Sequence, residues 1–227
     1  MVINADVVGI LTSLMIISSA SLIIPTALQA TEPPSDSETP QAHILALSHV
    51  ISIILLVFYV MYIYFQTWSH SHLFEEEAEE EEGETNKLGL IASSMVLILA
   101  TVGVAVCSDY LVDSIDGFVE AIGVGRAFIG MIIVPIVGNA GEFVATVKWA
   151  RTGKINLAIG VIVGATLQIS LFVTPFLVMV GWIIGKPMSL QFDTFETIVL
   201  AMSTLVVNCL VREGKTNYFE GLLLIGA

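Results

Sequence analysis

Apolar residues run along this chain in long blocks, separated by short polar stretches. Six full blocks stand out, at Val7–Leu28, Ile44–Phe65, Leu88–Cys107, Phe128–Val147, Leu157–Ile184 and Phe195–Val211, and a seventh starts at Phe219 and is incomplete at Ala227. Each full block is near the ~20 residues that an α-helix needs to cross the hydrocarbon core of a bilayer. The pattern predicts an all-α integral membrane protein with about seven transmembrane helices, whose main partner is the lipid bilayer. The segments between blocks read as loops. Gln29–Gln41 is rich in Pro, Ser, Thr and acid, and Gln66–Lys87 is too polar to span.

Composition supports this reading. The 227 residues are 56% hydrophobic and only 13% charged, with a mean hydropathy of +0.89. Soluble domains carry about 25% charged residues, so the apolar surface here must face lipid. The first block has no basic residues ahead of it, so it reads as a spanning helix rather than a cleaved leader. Cys107 and Cys209 both lie in apolar blocks, so no disulfide framework is expected.

The net charge of −13 is concentrated locally. Eight glutamates fall between Glu75 and Glu84, a block that reads as a solvated loop, with a cation antenna or regulatory segment as the alternative. His70 and His72 precede it and are weak metal candidates. Nucleic acid is excluded as a partner, because phosphate binding needs a basic surface. One set of alternating loops holds only Arg126 and Lys186, while the other holds Lys87, Lys148, Arg151, Lys154, Arg212 and Lys215. The positive-inside rule places the second set, and with it the N-terminus, in the cytosol.

Polar groups at membrane depth are costly and point to function. The densest cluster is Pro135-Ile-Val-Gly138-Asn139-Ala140-Gly141-Glu142. Pro135 disturbs the helix, and the small residues Gly138 and Gly141 admit close approach. Asn139 and Glu142 are three residues apart and share a helix face, presenting an amide oxygen and a carboxylate. Such hard oxygen ligands suit calcium or another divalent cation. In the next block, Gln168 offers another amide oxygen shortly before Pro175, or else acts as interhelical hydrogen-bonding glue. Asp109, Asp113, Asp116 and Glu120, at offsets of 0, 4, 7 and 11, form one acidic helix face. Asp116 and Glu120 read as solvated, whereas Asp109 directly follows an apolar run. The motifs of zinc proteases, serine hydrolases and P-loop nucleotide sites are absent from the sequence, so no enzyme is expected and no nucleotide would drive transport.

The segments Phe128–Glu142 and Leu157–Pro175 are similar to the second signature helix of the calcium/proton exchangers (the CAX family) and to the helix that follows it. Phe192–Glu196, Asn217–Gly221 and the acidic loop resemble the family as well. The resemblance implies a secondary antiporter built from two inverted repeats, each carrying a Gly-Asn-Ala-x-Glu helix, with its site near the bilayer midplane. It implies calcium and protons as transported ions and no cofactor. Glu142 would be a calcium ligand, Asn139 and Gln168 would line the site, and Asp109 would take part in binding or proton relay. Asp113 follows on the same acidic helix face and is expected to extend the relay, and the residues themselves place helix breaks at Pro135, Gly138, Gly141 and Pro175. The resemblance further implies a vacuolar or other endomembrane location with cation moving from cytosol to lumen. The expected organisation is two transmembrane helices over residues 1–67, an acidic cytosolic loop over 68–87, and the second exchanger repeat over 88–227.

The sequence departs from the family pattern in three places. Gly141 and Phe143 stand where the family has Ala and His, and losing that His removes a group that titrates near neutral pH. Asp109 is one methylene shorter than the family's Glu. Only one Gly-Asn-Ala-x-Glu occurs in these residues. The chain is therefore expected either to transport as a homodimer or with a complementary first-repeat half, or to be a truncated, non-transporting half that regulates a partner or reflects a partial gene model. A passive cation channel is a third reading.

Overall fold

Backbone groups inside a bilayer have no water to bond, so a spanning segment must satisfy them internally, as a helix does. A computed structural model describes residues 5–31, 39–71, 89–212 and 218–226 of this chain, and every element among them is helical. We label them α1 (Ala5–Thr31), α2 (Thr39–Tyr64), α3 (Leu90–Ile122), α4 (Arg126–Gly138), α5 (Ala140–Arg151), α6 (Ile155–Ile183), α7 (Thr194–Arg212) and α8 (Tyr218–Gly226). Five are long and apolar enough to cross a membrane, and α4 with α5 makes a sixth if the bent pair counts as one span. These six correspond to the six full apolar blocks. The seventh block yields only the nine-residue α8. The protein is a multi-pass membrane protein. The glutamate run and His72 lie outside the described residues; His70 lies within them and stacks on Phe65 at 4.3 Å.

The chain divides into two units, residues 1–79 with 149–227, and residues 80–148. The first unit has a core. Leu11, Met15 and Leu22 of α1 pack with Ile51 and Leu55 of α2, Leu167, Leu171 and Val178 of α6, and Leu190 of the following loop. Buried hydroxyls tie these helices together. Ser19 of α1 meets Thr204 of α7 at 3.0 Å, and Ser170 of α6 meets Ser18 of α1 at 3.1 Å. The 184–193 loop is fastened similarly: Leu190 N–H donates to Ser48 and Phe192 N–H to Thr26, each at 3.0 Å. Hydroxyls serve this purpose between membrane helices because they bond across the interface while leaving the backbones close.

The ends of α5 and α6 are closed in the same manner. Gly153 and Gly185 adopt φ of +86° and +73°, where an L side chain would be strained. The next residues donate back over the turn, Lys154 N–H to the Trp149 carbonyl and Lys186 N–H to the Gly181 carbonyl, both at 2.9 Å. This satisfies carbonyls left over at a helix end. Both turns fall between spans.

The second unit is built differently. α3 is one unbroken helix of 33 residues. The span window of α3 contains no buried residue, and in α4 only Ile129 is buried. Arg126, at the start of α4, forms an ion pair with Asp116 of α3 at 2.6 Å, with both side chains about two-thirds exposed.

Candidate cation site

Two of the three proline-bearing blocks respond to proline in the same way, whereas α1 stays α-helical through Pro25. A proline lacks the N–H that its own turn would use, and its ring presses on the carbonyl four residues earlier. The helix widens just upstream in each case, into a π turn at Ile129–Ile133 before Pro135 and at Gln168–Val173 before Pro175. Such π turns within α-helices are often found at functional positions. α6 nevertheless runs on from Ile155 to Ile183 as one span.

The sharp bend lies at Asn139, four residues after Pro135. Asn139 has φ −92° and ψ 4°, outside the helical region, and α4 and α5 meet there at 45°. Hydrogen bonding continues on both sides of the bend. Asn139 N–H donates to the Pro135 carbonyl and Phe143 N–H to the Asn139 carbonyl, both at 2.9 Å. The C-terminal end of α4 therefore meets the N-terminal end of α5 at an amide side chain. Glu142 occupies the first turn of α5 and is exposed. A Cβ added at Gly138 or Gly141 would meet no atom within 4 Å, so the space beside the motif is open.

Asp109 and Asp113 lie in α3, in the same unit as Asn139 and Glu142, and both are exposed. α3 is continuous through all four acids, so their spacing puts them on one helical stripe. Asp116 is not merely solvated, since it carries Arg126 as its counter-ion. Gln168 belongs to the other unit, where it is exposed at the first position of the π turn.

Among the described residues no group of three or more His, Cys, Asp and Glu could hold a metal ion. Calcium takes about 6–8 oxygen ligands, so Asn139 and Glu142 provide part of a coordination shell and other oxygens must complete it. The C-terminal end of α4 favours a cation, while the N-terminal end of α5 favours the Glu142 carboxylate in its first turn.

Two features of the structure go beyond what the motifs indicated. One is a polar cavity in the first unit, lined by Thr26, Gln29, Gln191, Asp193 and Glu196 among others, where Gln191 donates to Gln29 at 2.6 Å. The other is the buried pairing of Ser18 with Ser170. Partners lying 152 residues apart leave no local signal in sequence.

The sodium/calcium exchanger protein family model matches residues 92–227, more than half of the chain. The chain belongs to the sodium/calcium exchanger protein family. Among the relatives of this exchanger chain, the "Vacuolar calcium ion transporter" of Schizosaccharomyces pombe is 38% identical over 223 residues, covering 98% of this chain and 54% of its own length. The "Ca(2+)/H(+) antiporter" of Aphanothece halophytica is 34% identical, covering 99% of this chain and 62% of its own. The solved structure of native YfkE superposes with a TM-score of 0.77 at 30% identity, over 98% of this chain and 61% of YfkE. A selenium-substituted form of the same protein is described as a Ca2+/H+ antiporter. The exchanger chain thus spans between about half and three-fifths of the length of these relatives. The resemblance to calcium/proton exchangers read from Phe128–Glu142 and Leu157–Pro175 holds, and so does the all-α membrane fold.

Proposed function

We propose that this chain forms the second repeat and flanking helices of a secondary transporter that exchanges calcium, or another divalent cation, for protons. The observation that carries the reading is the bend at Asn139, which sets an amide and the Glu142 carboxylate at the junction of two apolar half-helices. Discontinuous helices of this kind form the ion sites of many secondary transporters. The transporter names of the relatives support the same reading.

In this account Glu142 and Asn139 bind the cation, with Gln168 as a further oxygen ligand. Asp109 takes part in binding or passes protons, and Asp113 extends the relay. Cation and proton compete for the same carboxylates, so a proton arriving from one side releases the cation there. Phe143 stands where the resemblance expects His, so this segment offers no imidazole. The vacuolar names of relatives support an endomembrane location, and Lys148 and Arg151 near the end of α5 with Lys154 after it support an N-terminus in the cytosol and export toward the lumen.

The test is radiolabelled calcium uptake into sealed vesicles holding only this chain, driven by an imposed proton gradient. Uptake should collapse with the gradient and in Glu142→Gln, while membrane insertion is unchanged. Confirmed insertion without uptake would favour a second reading, a non-transporting half that acts as a regulatory partner or needs a complementary repeat. The single Gly-Asn-Ala-x-Glu motif in these residues speaks for that alternative.

A further inference from the structure

The π turn of α6 is held on two sides. Ser170, in its middle, lies 3.1 Å from the Ser18 hydroxyl of α1 and 3.4 Å from the Leu167 carbonyl. Ser18 in turn donates to the Met15 carbonyl at 3.0 Å, so the bonds run in series into α1. Both serines are buried, Ser18 completely. On the α2 side, Phe172 stacks on Tyr59 with ring centroids 4.9 Å apart. Leu171 is fully buried between these contacts, while Gln168 and Ile169 remain exposed. The turn is thus anchored through residues 170–172 and open at the residue that offers an amide.

A π turn inserts one residue relative to an α-helix. Relaxing it to α geometry would rotate one flank against the other by about 100°, the angle per residue of an α-helix. Pro175 removes a hydrogen bond to the turn but does not bond any of its residues from outside the helix. A contact from a neighbouring helix to a specific residue of the turn adds a hold on the register, and Ser170 makes one to α1.

We propose that Ser18 and Ser170 are positioning residues for the exchange reaction, a hydroxyl clamp that holds the π turn in register and so fixes the direction in which Gln168 presents its amide. This rests on the reading of Gln168 as a ligand of the transported cation. It assigns to α1 the orientation of a group on α6.

The test combines two measurements on the full chain reconstituted in bilayers. Hydrogen exchange of residues 168–173 reads the clamp directly. Ser18→Ala and Ser170→Ala should each speed exchange there about threefold to tenfold, the range for one hydrogen bond between membrane helices, and the double variant should be no faster than either single one. Ser19→Ala, which removes the bond to α7 instead, should leave 168–173 unchanged. Gradient-driven calcium uptake reads the consequence. Both clamp variants should raise the KM for calcium several-fold with maximal rate retained, and Ser170→Thr, which keeps the hydroxyl, should restore it. Unchanged exchange in both alanine variants would overturn the clamp. Faster exchange with an unaltered KM would overturn its positioning role. A wild-type chain that takes up no calcium would contradict the exchange reading instead, and hydrogen exchange alone would then decide the clamp.

Discussion

The two units of this chain solve the problem of an apolar helix in opposite ways. In the first, α1 buries 44% of its span window, α6 33% and α2 28%, although the window of α7 in the same unit buries none. In the second, the window of α3 buries none, although large apolar residues such as Leu97, Leu99, Val102 and Val104 occupy all its sides. A helix that is apolar all round belongs in lipid or against protein. Structural specificity therefore resides in the first unit, through its core and its hydroxyl pairs. The acidic chemistry resides in the second, where Asp109 and Glu142 stand on helices with almost no packing of their own.

That contrast is open to direct attack. The largest stability effect should come from emptying the packed core. Leu55→Ala and Leu167→Ala remove fully buried side chains and should each cost about 2–4 kcal/mol, read as a fall in the unfolding midpoint of the chain in a bilayer mimetic. Leu97→Ala on α3, where the side chain is 67% exposed, should change stability by less than about 0.5 kcal/mol. Equal losses at both places would erase the distinction between the units.

Next comes Asp109→Asn, which should raise the KM for gradient-driven calcium uptake about tenfold, equivalent to ~1.4 kcal/mol of lost binding, with little change in stability. Asp109→Glu should retain most of the uptake, because the carboxylate is kept on a longer stem. Smaller still is Ser19→Ala, which removes the bond to Thr204 and should lower stability by about 1 kcal/mol. The smallest effect is expected at the Asp116–Arg126 pair. With both side chains exposed, Asp116→Asn should cost less than about 1 kcal/mol and lose that effect in high salt.

Much of this architecture was legible in the sequence, for a physical reason. Hydrocarbon thickness fixes the length of a span, so the block Leu157–Ile184 reads directly as α6. The break at Asn139 was also within reach, since Pro135 and Gly138 lie just before it. The π turns were not, because a turn one residue wider leaves the spacing of apolar positions nearly unchanged and lipid-facing residues carry no phase. Ser18 and Ser48 were illegible for another reason. Their partners lie far along the chain, and a serine within an apolar run looks the same whether it bonds its own helix or a neighbour. In the candidate site, Asn139 and Glu142 stood out because a carboxylate between apolar runs is costly. The anchoring of the turn that bears Gln168 emerged only once α1 was packed against α6.

The central claim is that the bend at Asn139 and Glu142 binds the transported cation. Equilibrium binding of radiolabelled calcium to the purified chain in lipid nanodiscs tests it without requiring transport. Saturable binding that is lost in Glu142→Gln, competed by protons and retained in Glu120→Gln is the expected result. Binding that is undiminished in Glu142→Gln would show that the cation is held elsewhere and would contradict the account.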